Sequence, residues 1–388
     1  MAIPAELRPL IAQVRQQHPQ LKDVPDEEVA ELIMQAMAAQ RGPDLPQNPD
    51  EADISKMSAE ECGAYGEQLM NTGQWQAAER CFFAALEKAE LANDLDMQCK
   101  LVAALGRLCR VRGDFPQAMT LFKQALGLAE RQGDQRVVAL IYDQVGTTYR
   151  KQGHYAEAVE YYRKSLEIDE AMGNEVGMAV EYGNLGSVYT QQGDFDRAVE
   201  AHQKALALDL RLGEQKGAAQ DYGNLGIVFR HQGRYDRAVE MYQRSLEIEL
   251  RLGNQHGTAL TYGNLGNVYL ELGDLDAAQR MFEKSLEIFQ QIGDEPNTAT
   301  VCGNLAVMYS QKGEVSRALE YYDKLLKITE RIGDRHTSAN AYSNLGDLYR
   351  GLGDRVQARG HFEKAKALYE IVGDARNAQD AARALRDL

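Results

Sequence analysis

The residues with the greatest chemical capacity in this sequence are seven histidines and five cysteines, and neither set has the spacing that chemistry requires. A metal centre needs ligands that converge at helical or turn intervals. His18, His231, His256, His336 and His361 are scattered, while His154 and His202 stand where other copies of a recurring pattern carry a helix-start residue and a packed aromatic. Cys62, Cys81, Cys99, Cys109 and Cys302 are odd in number and show neither Cys-x-x-Cys nor Cys/His spacing, so they read as buried thiols of a reducing compartment. Glycine-x-glycine echoes hold phosphate only between a strand and a helix, and no strand is predicted. No nucleophile stands beside a base. Catalytic residues, metal ligands and cofactors are therefore not expected, and the chain reads as a protein that is not an enzyme.

One polar column remains. Asn184, Asn224, Asn264, Asn304 and Asn344 recur at a fixed interval, Gln144 continues the column upstream, and Ala104 and Ala64 end it. A carboxamide donates and accepts, which suits it to a peptide bond. Helices pack about 8 to 10 Å apart and an extended chain advances about 3.3 Å per residue, so one amide per helix meets roughly every third ligand residue. The alternative is that each amide bridges neighbouring helices or caps a carbonyl. Asparagine is a poor helix former, and its retention in a helix favours binding. One turn on, Arg150, Arg230 and Arg350 alternate with Thr190, Leu270 and Ser310. These arginines would pair with ligand carboxylates, stay solvated, or pair with glutamates of the next unit.

The elements that hold this column follow from two glycine ladders. Gly73, Gly113, Gly153, Gly193, Gly233, Gly273, Gly313 and Gly353 recur every forty residues, and so do Gly133, Gly173, Gly213, Gly253, Gly293, Gly333 and Gly373, with Asn93 in the first place of the second ladder. Between them apolar residues follow helical spacing, as in Ala179, Tyr182, Leu185 and Tyr189, then Phe195, Ala198, His202 and Ala205. Each unit is thus two amphipathic helices. Asp134, Asn174, Glu214, Asn254, Asp294, Asp334 and Asp374 follow the second glycine and are expected to cap the next helix. Gly146, Gly186, Gly226, Gly266 and Gly346 lie within helices, at a cost of about 1 kcal/mol each against alanine. Close approach of the second helix is the expected compensation.

The order aromatic, Leu-Gly, Tyr, then Ala, aromatic, Ala, seen as Tyr182, Leu185-Gly186, Tyr189, Ala198, His202 and Ala205, resembles the tetratricopeptide repeat (TPR) pattern. Leu69, Trp75, Cys109 and His202 are departures that leave the frame intact. The forty-residue period and the phrase Tyr-Gly-Asn-Leu-Gly at 182–186, 222–226 and 262–266 resemble the long-helix repeats of the LGN/Pins scaffolds and, more distantly, kinesin light chains. The resemblance implies an all-α, right-handed TPR superhelix whose first helices line a concave wall. It also implies peptide binding there, with the asparagines holding ligand backbone.

The resulting organisation is a helical hairpin over 1–40, an acidic linker over 41–53 containing Pro43, Pro46 and Pro49, eight units over 54–373, and a capping helix over 374–388. The units are 54–93, 94–133, 134–173, 174–213, 214–253, 254–293, 294–333 and 334–373. The first hairpin either caps the array, docks on a partner or on a second copy, or is disordered. A formal charge of -15 disfavours nucleic acid and anionic membranes. Met1–Val14 lacks a basic region followed by an apolar run, and no transmembrane stretch occurs, so a cytoplasmic scaffold is expected. Its predicted partner is a protein or peptide in the groove; self-association through residues 1–53 is the alternative.

Overall fold

The computed structural model describes residues Ile54–Leu388 together with Pro25, Asp26, Val29 and Ala30. Apart from those four residues, the hairpin expected over 1–40 and the linker over 41–53 lie outside the described residues. Asp26 is helical, and the Val29 amide donates to the Pro25 carbonyl at 3.1 Å.

Among the described residues every regular element is helical, and the chain divides into two compact units, one ending at His154 and the other starting at Tyr155. The first unit holds a 3-10 turn (Ile54–Lys56) and helices α1 (Ala59–Asn71), α2 (Trp75–Leu91), α3 (Leu95–Val111), α4 (Phe115–Gln132) and α5 (Gln135–Lys151). The second opens with α6 (Tyr155–Met172), α7 (Glu175–Gln192), α8 (Phe195–Leu212), α9 (Gln215–His231), α10 (Tyr235–Leu252) and α11 (Gln255–Glu271). It continues through α12 (Leu275–Gln291), α13 (Glu295–Gln311), α14 (Val315–Ile332), α15 (Arg335–Gly351), α16 (Arg355–Val372) and α17 (Ala375–Arg386). The division falls at the turn between α5 and α6, inside the unit 134–173 of the sequence reading.

The turns explain the two glycine ladders. After α7, Gly193 takes a left-handed φ of 76°, the Asp194 amide returns to the Tyr189 carbonyl at 2.9 Å, and the Asp194 carboxylate accepts the Arg197 amide at 3.2 Å. One helix is closed and the next begun within three residues. Asn93 adopts φ 53° in place of glycine, as a short polar side chain permits. Asp134, Asn174, Asn254, Asp294, Asp334 and Asp374 all cap the next helix through their side chains. Glu214 departs from that expectation: it makes no capping hydrogen bond, because its carboxylate is one methylene farther from the backbone.

The glycines inside the helices make room for the rings of the second helices. A Cβ added at Gly226 of α9 would lie 2.6 Å from the Tyr242 ring of α10, at Gly266 2.6 Å from Phe282, and at Gly346 2.7 Å from Phe362. Tyr242 and Phe282 have no exposed surface. At Gly186 the same notch receives His202, its ring 2.7 Å from the added atom. The aromatic residues one turn after these small residues pack alongside: Phe229 and Ala238 share one buried cluster with Tyr242, Leu225 and Leu265. The same arrangement recurs with Tyr309 and Ala318. Within the second unit α7, α9, α11, α13 and α15 each touch the next, and α1, α3 and α5 do so in the first. In each unit the first helices of the hairpins therefore form a continuous wall.

Candidate functional site

That wall carries the asparagine column. In the second unit α7, α9 and α11 enclose a groove of about 710 Å³ lined by Asn184, Asn224 and Asn264, with Val176, Val180, Ile227 and Leu260 as its apolar part. Gly183 and Gly223, each one residue before an asparagine, also line it and keep the surface low. Asn184, Asn224, Asn264 and Asn304 are half-buried, and Asn344 is exposed. Among the described residues no side-chain hydrogen bond engages Asn224, Asn264, Asn304 or Asn344. An amide held in a helix without an internal partner keeps its donor and acceptor for a ligand or water. The groove gathers three of the five asparagines; Asn304 and Asn344 lie outside its lining.

In the first unit the corresponding positions Ala64, Ala104 and Gln144 line a separate groove of about 430 Å³. Its walls are more apolar, with Met97, Leu101, Val137, Leu140 and Ile141. The Gln144 side chain donates to Asp143 at 2.8 Å, and its own carbonyl oxygen is buried without a hydrogen-bond partner. Its main-chain carbonyl accepts from Arg110 at 3.2 Å. Arg110 belongs to the arginine column and escaped the sequence reading, which began that column at Arg150.

The arginines are mostly engaged within the fold. Arg230 reaches Glu271 of the neighbouring hairpin at 3.3 Å, and Arg350 donates to Asp347 on its own helix at 2.5 Å while lying over the Phe362 ring. Arg150 is half-buried, and its Nε lacks a hydrogen-bond partner. Pairing with a glutamate of the neighbouring unit describes Arg230, whereas Arg350 pairs with an aspartate of its own helix.

A set of acidic residues that the sequence did not point to as site residues lines the groove of the second unit: Asp209 at the end of α8, Glu214 at the start of α9, Asp221 within α9 and Glu249 at the end of α10. Asp221 and Glu249 are each 5% exposed, and Asp221 Oδ2 and Glu249 Oε2 have no hydrogen-bond partner. Asp221 Oδ1 lies 3.4 Å from His202 Nδ1. Burial raises the Asp221 carboxyl above its ordinary range, with His202 opposing the rise. Burial pushes Asp209 up to about 6, helped by the charges of Asp221 and Glu214. Asp169, at the matching place on α6, is also raised by burial and is partly compensated by the Asn174 amide, which donates to it at 2.7 Å.

A signal for three of these carboxylates is present in the sequence. Asp169, Asp209 and Glu249 are each followed eight residues later by Gly177, Gly217 and Gly257, whereas Ala129, Phe289 and Thr329 are followed by Val137, Asn297 and Thr337. A Cβ at Gly257 would lie 2.5 Å from the Glu249 carboxyl carbon, and Cβ atoms at Gly177 and Gly217 would clash with Asp169 and Asp209. The missing side chain lets each carboxylate settle against the first turn of the next helix, the positive end of its dipole.

Among the described residues no group of three or more His, Cys, Asp or Glu side chains is arranged to hold a metal ion, and no helix is long and apolar enough to cross a membrane. All five cysteines are free thiols. Burial pushes Cys81 and Cys302 up to about 11, which suppresses the reactive thiolate.

The tetratricopeptide repeat model matches residues 96–171, 178–251, 218–291, 257–330 and 297–371. Among solved structures, the apo form of RapI is 16% identical, with 85% of this chain and 96% of that one covered and a TM-score of 0.60. A Rap protein complexed with Competence and Sporulation Factor matches at 16% identity, 85% and 96% coverage and a TM-score of 0.55. The apo quorum sensor NprR from B. thuringiensis matches at 16% identity, 93% and 96% coverage and a TM-score of 0.61. At these identities the likeness is one of fold. A search of curated proteins finds no match. The model spans well over half of the sequence, and its matches fall on the same helical hairpins that wall the groove: the chain belongs to the tetratricopeptide repeat family.

Proposed function

We propose that this protein is a non-catalytic, cytoplasmic scaffold that seats a peptide segment of a partner protein along the wall formed by its first helices. The observation that carries this reading is the groove of about 710 Å³ in which Asn184, Asn224 and Asn264 stand in a row, with Asn224 and Asn264 making no side-chain hydrogen bond to any described residue. Amides at one-helix spacing match the repeat of an extended backbone, and the apolar residues between them supply contact area. A Rap protein of similar fold is itself complexed with Competence and Sporulation Factor.

The test is a pull-down with the full chain, comparing wild type with Asn224→Ala/Asn264→Ala by mass spectrometry. The substituted chain should lose partners held by the wild type while its melting temperature changes by less than about 2 °C, the scale of a surface substitution. Retained capture together with a large fall in melting temperature would assign the two amides to the fold and overturn the proposal.

A further inference from the structure

The groove of the second unit carries far more negative charge than its asparagines need. Asp209, Glu214, Asp221 and Glu249 line it, and the one cationic side chain in its lining is Lys216, which is exposed. His202 faces Asp221 from α8. Two of the carboxylates are 95% buried, and each presents an oxygen that no donor among the described residues satisfies. A buried carboxylate oxygen without a donor destabilises the chain that holds it. Three helices bring these groups to one place: the ends of α8 and α10, and the start and middle of α9. The glycines at 217 and 257 give up side chains to accommodate two of them.

We propose that this acidic floor is a subsite for the cationic end of an arginine or lysine side chain on the bound peptide, flanked by Asn184, Asn224 and Asn264 holding its backbone. A planar guanidinium offers five donors in a fixed fork and supplies the missing partners of Asp221 and Glu249 together. The subsite rests on the peptide-binding reading above and defines its ligand: a segment with a basic residue at the point where it crosses α9. The corresponding groove of the first unit, lined by Met97, Leu101 and Val137 in place of this floor, has no such preference.

The experiment uses the full chain and two small probes, N-acetyl-arginine amide and N-acetyl-citrulline amide, which differ in charge at nearly constant shape. Calorimetric titration should show the arginine probe binding at least about tenfold more tightly than the citrulline probe, the low end for a charge-assisted pair. Asp221→Asn/Glu249→Gln, near-isosteric changes whose folding is checked by circular dichroism, should abolish that preference. Equal binding of the two probes to wild type, or an arginine preference that survives in the folded variant, overturns the subsite. If the double variant fails to fold, the wild-type comparison alone decides. Asn224→Ala/Asn264→Ala should keep the arginine preference while losing peptide capture, so the subsite and the scaffold reading fail separately.

Discussion

The glycine inside α9 offers a quantitative test of how the hairpins are built. Alanine at position 226 adds a Cβ that would lie 2.6 Å from Tyr242 Cε1 and 2.8 Å from its Cδ1, about 1 Å inside ordinary carbon–carbon contact. The ring has no exposed surface and cannot swing outward without opening the cluster with Leu225, Phe229 and Leu265. Alanine gains about 1 kcal/mol of helix propensity over glycine, whereas overpacking a dense core costs about 1 to 3 kcal/mol. Gly226→Ala should therefore be destabilising by about 1 kcal/mol, and Gly226→Leu by several times that. Gly360 in α16 is the control, since nothing lies within 4 Å of its added Cβ. Gly360→Ala should stabilise by about 0.5 to 1 kcal/mol. Thermal melts followed by circular dichroism at 222 nm read the difference directly, with Gly360→Ala above wild type and Gly226→Ala below it by a few degrees. Should Gly226→Ala melt at or above Gly360→Ala, the notch is not set by the Tyr242 ring and the reasoning is refuted.

The Asp209 carboxyl provides a pH-dependent test. Its pKa is raised from 3.8 to about 6, so between these values the folded chain keeps a proton that the unfolded chain has released. Stability therefore falls as pH rises through this window, and the full cost is felt above it. The shift corresponds to at most about 3 kcal/mol, reduced to about 1 to 2 by solvent in the groove. Asp209→Asn, neutral throughout, should raise the melting temperature at pH 7.5 and lose that gain by pH 4; an equal gain at both would contradict it. Gly217→Ala should destabilise by driving a Cβ against Asp209, and Asp209→Ala in the same chain should recover most of the loss. A double-mutant cycle from urea unfolding should give a coupling of about 1 to 3 kcal/mol, and additive effects would break the proposed pairing.

The hairpins and their turns were legible in the sequence because their causes are local. A left-handed φ at Gly193, a cap at Asp194 and apolar spacing from Tyr182 to Leu185 to Tyr189 depend on neighbours within one or two turns. The asparagine column was legible as spacing, since a residue that disfavours helix yet recurs every forty positions stands out against the frame. Its likeness to LGN/Pins and kinesin light chain repeats remains an expectation of the sequence. Other features depended on tertiary packing. Tyr242 fills the space opposite Gly226 sixteen residues away, and Arg230 meets Glu271 forty-one residues away. The acidic floor is the clearest case. Asp209, Asp221 and Glu249 lie on three helices, among so many other acidic residues that their side chains read as ordinary solvated charge. By itself the sequence determined which residues turn, cap and face inward, because hydrogen bonding and helix propensity act over a few residues. Tertiary structure decided which carboxylates are shut away from water and left with an unsatisfied oxygen, because desolvation depends on every helix that packs around them.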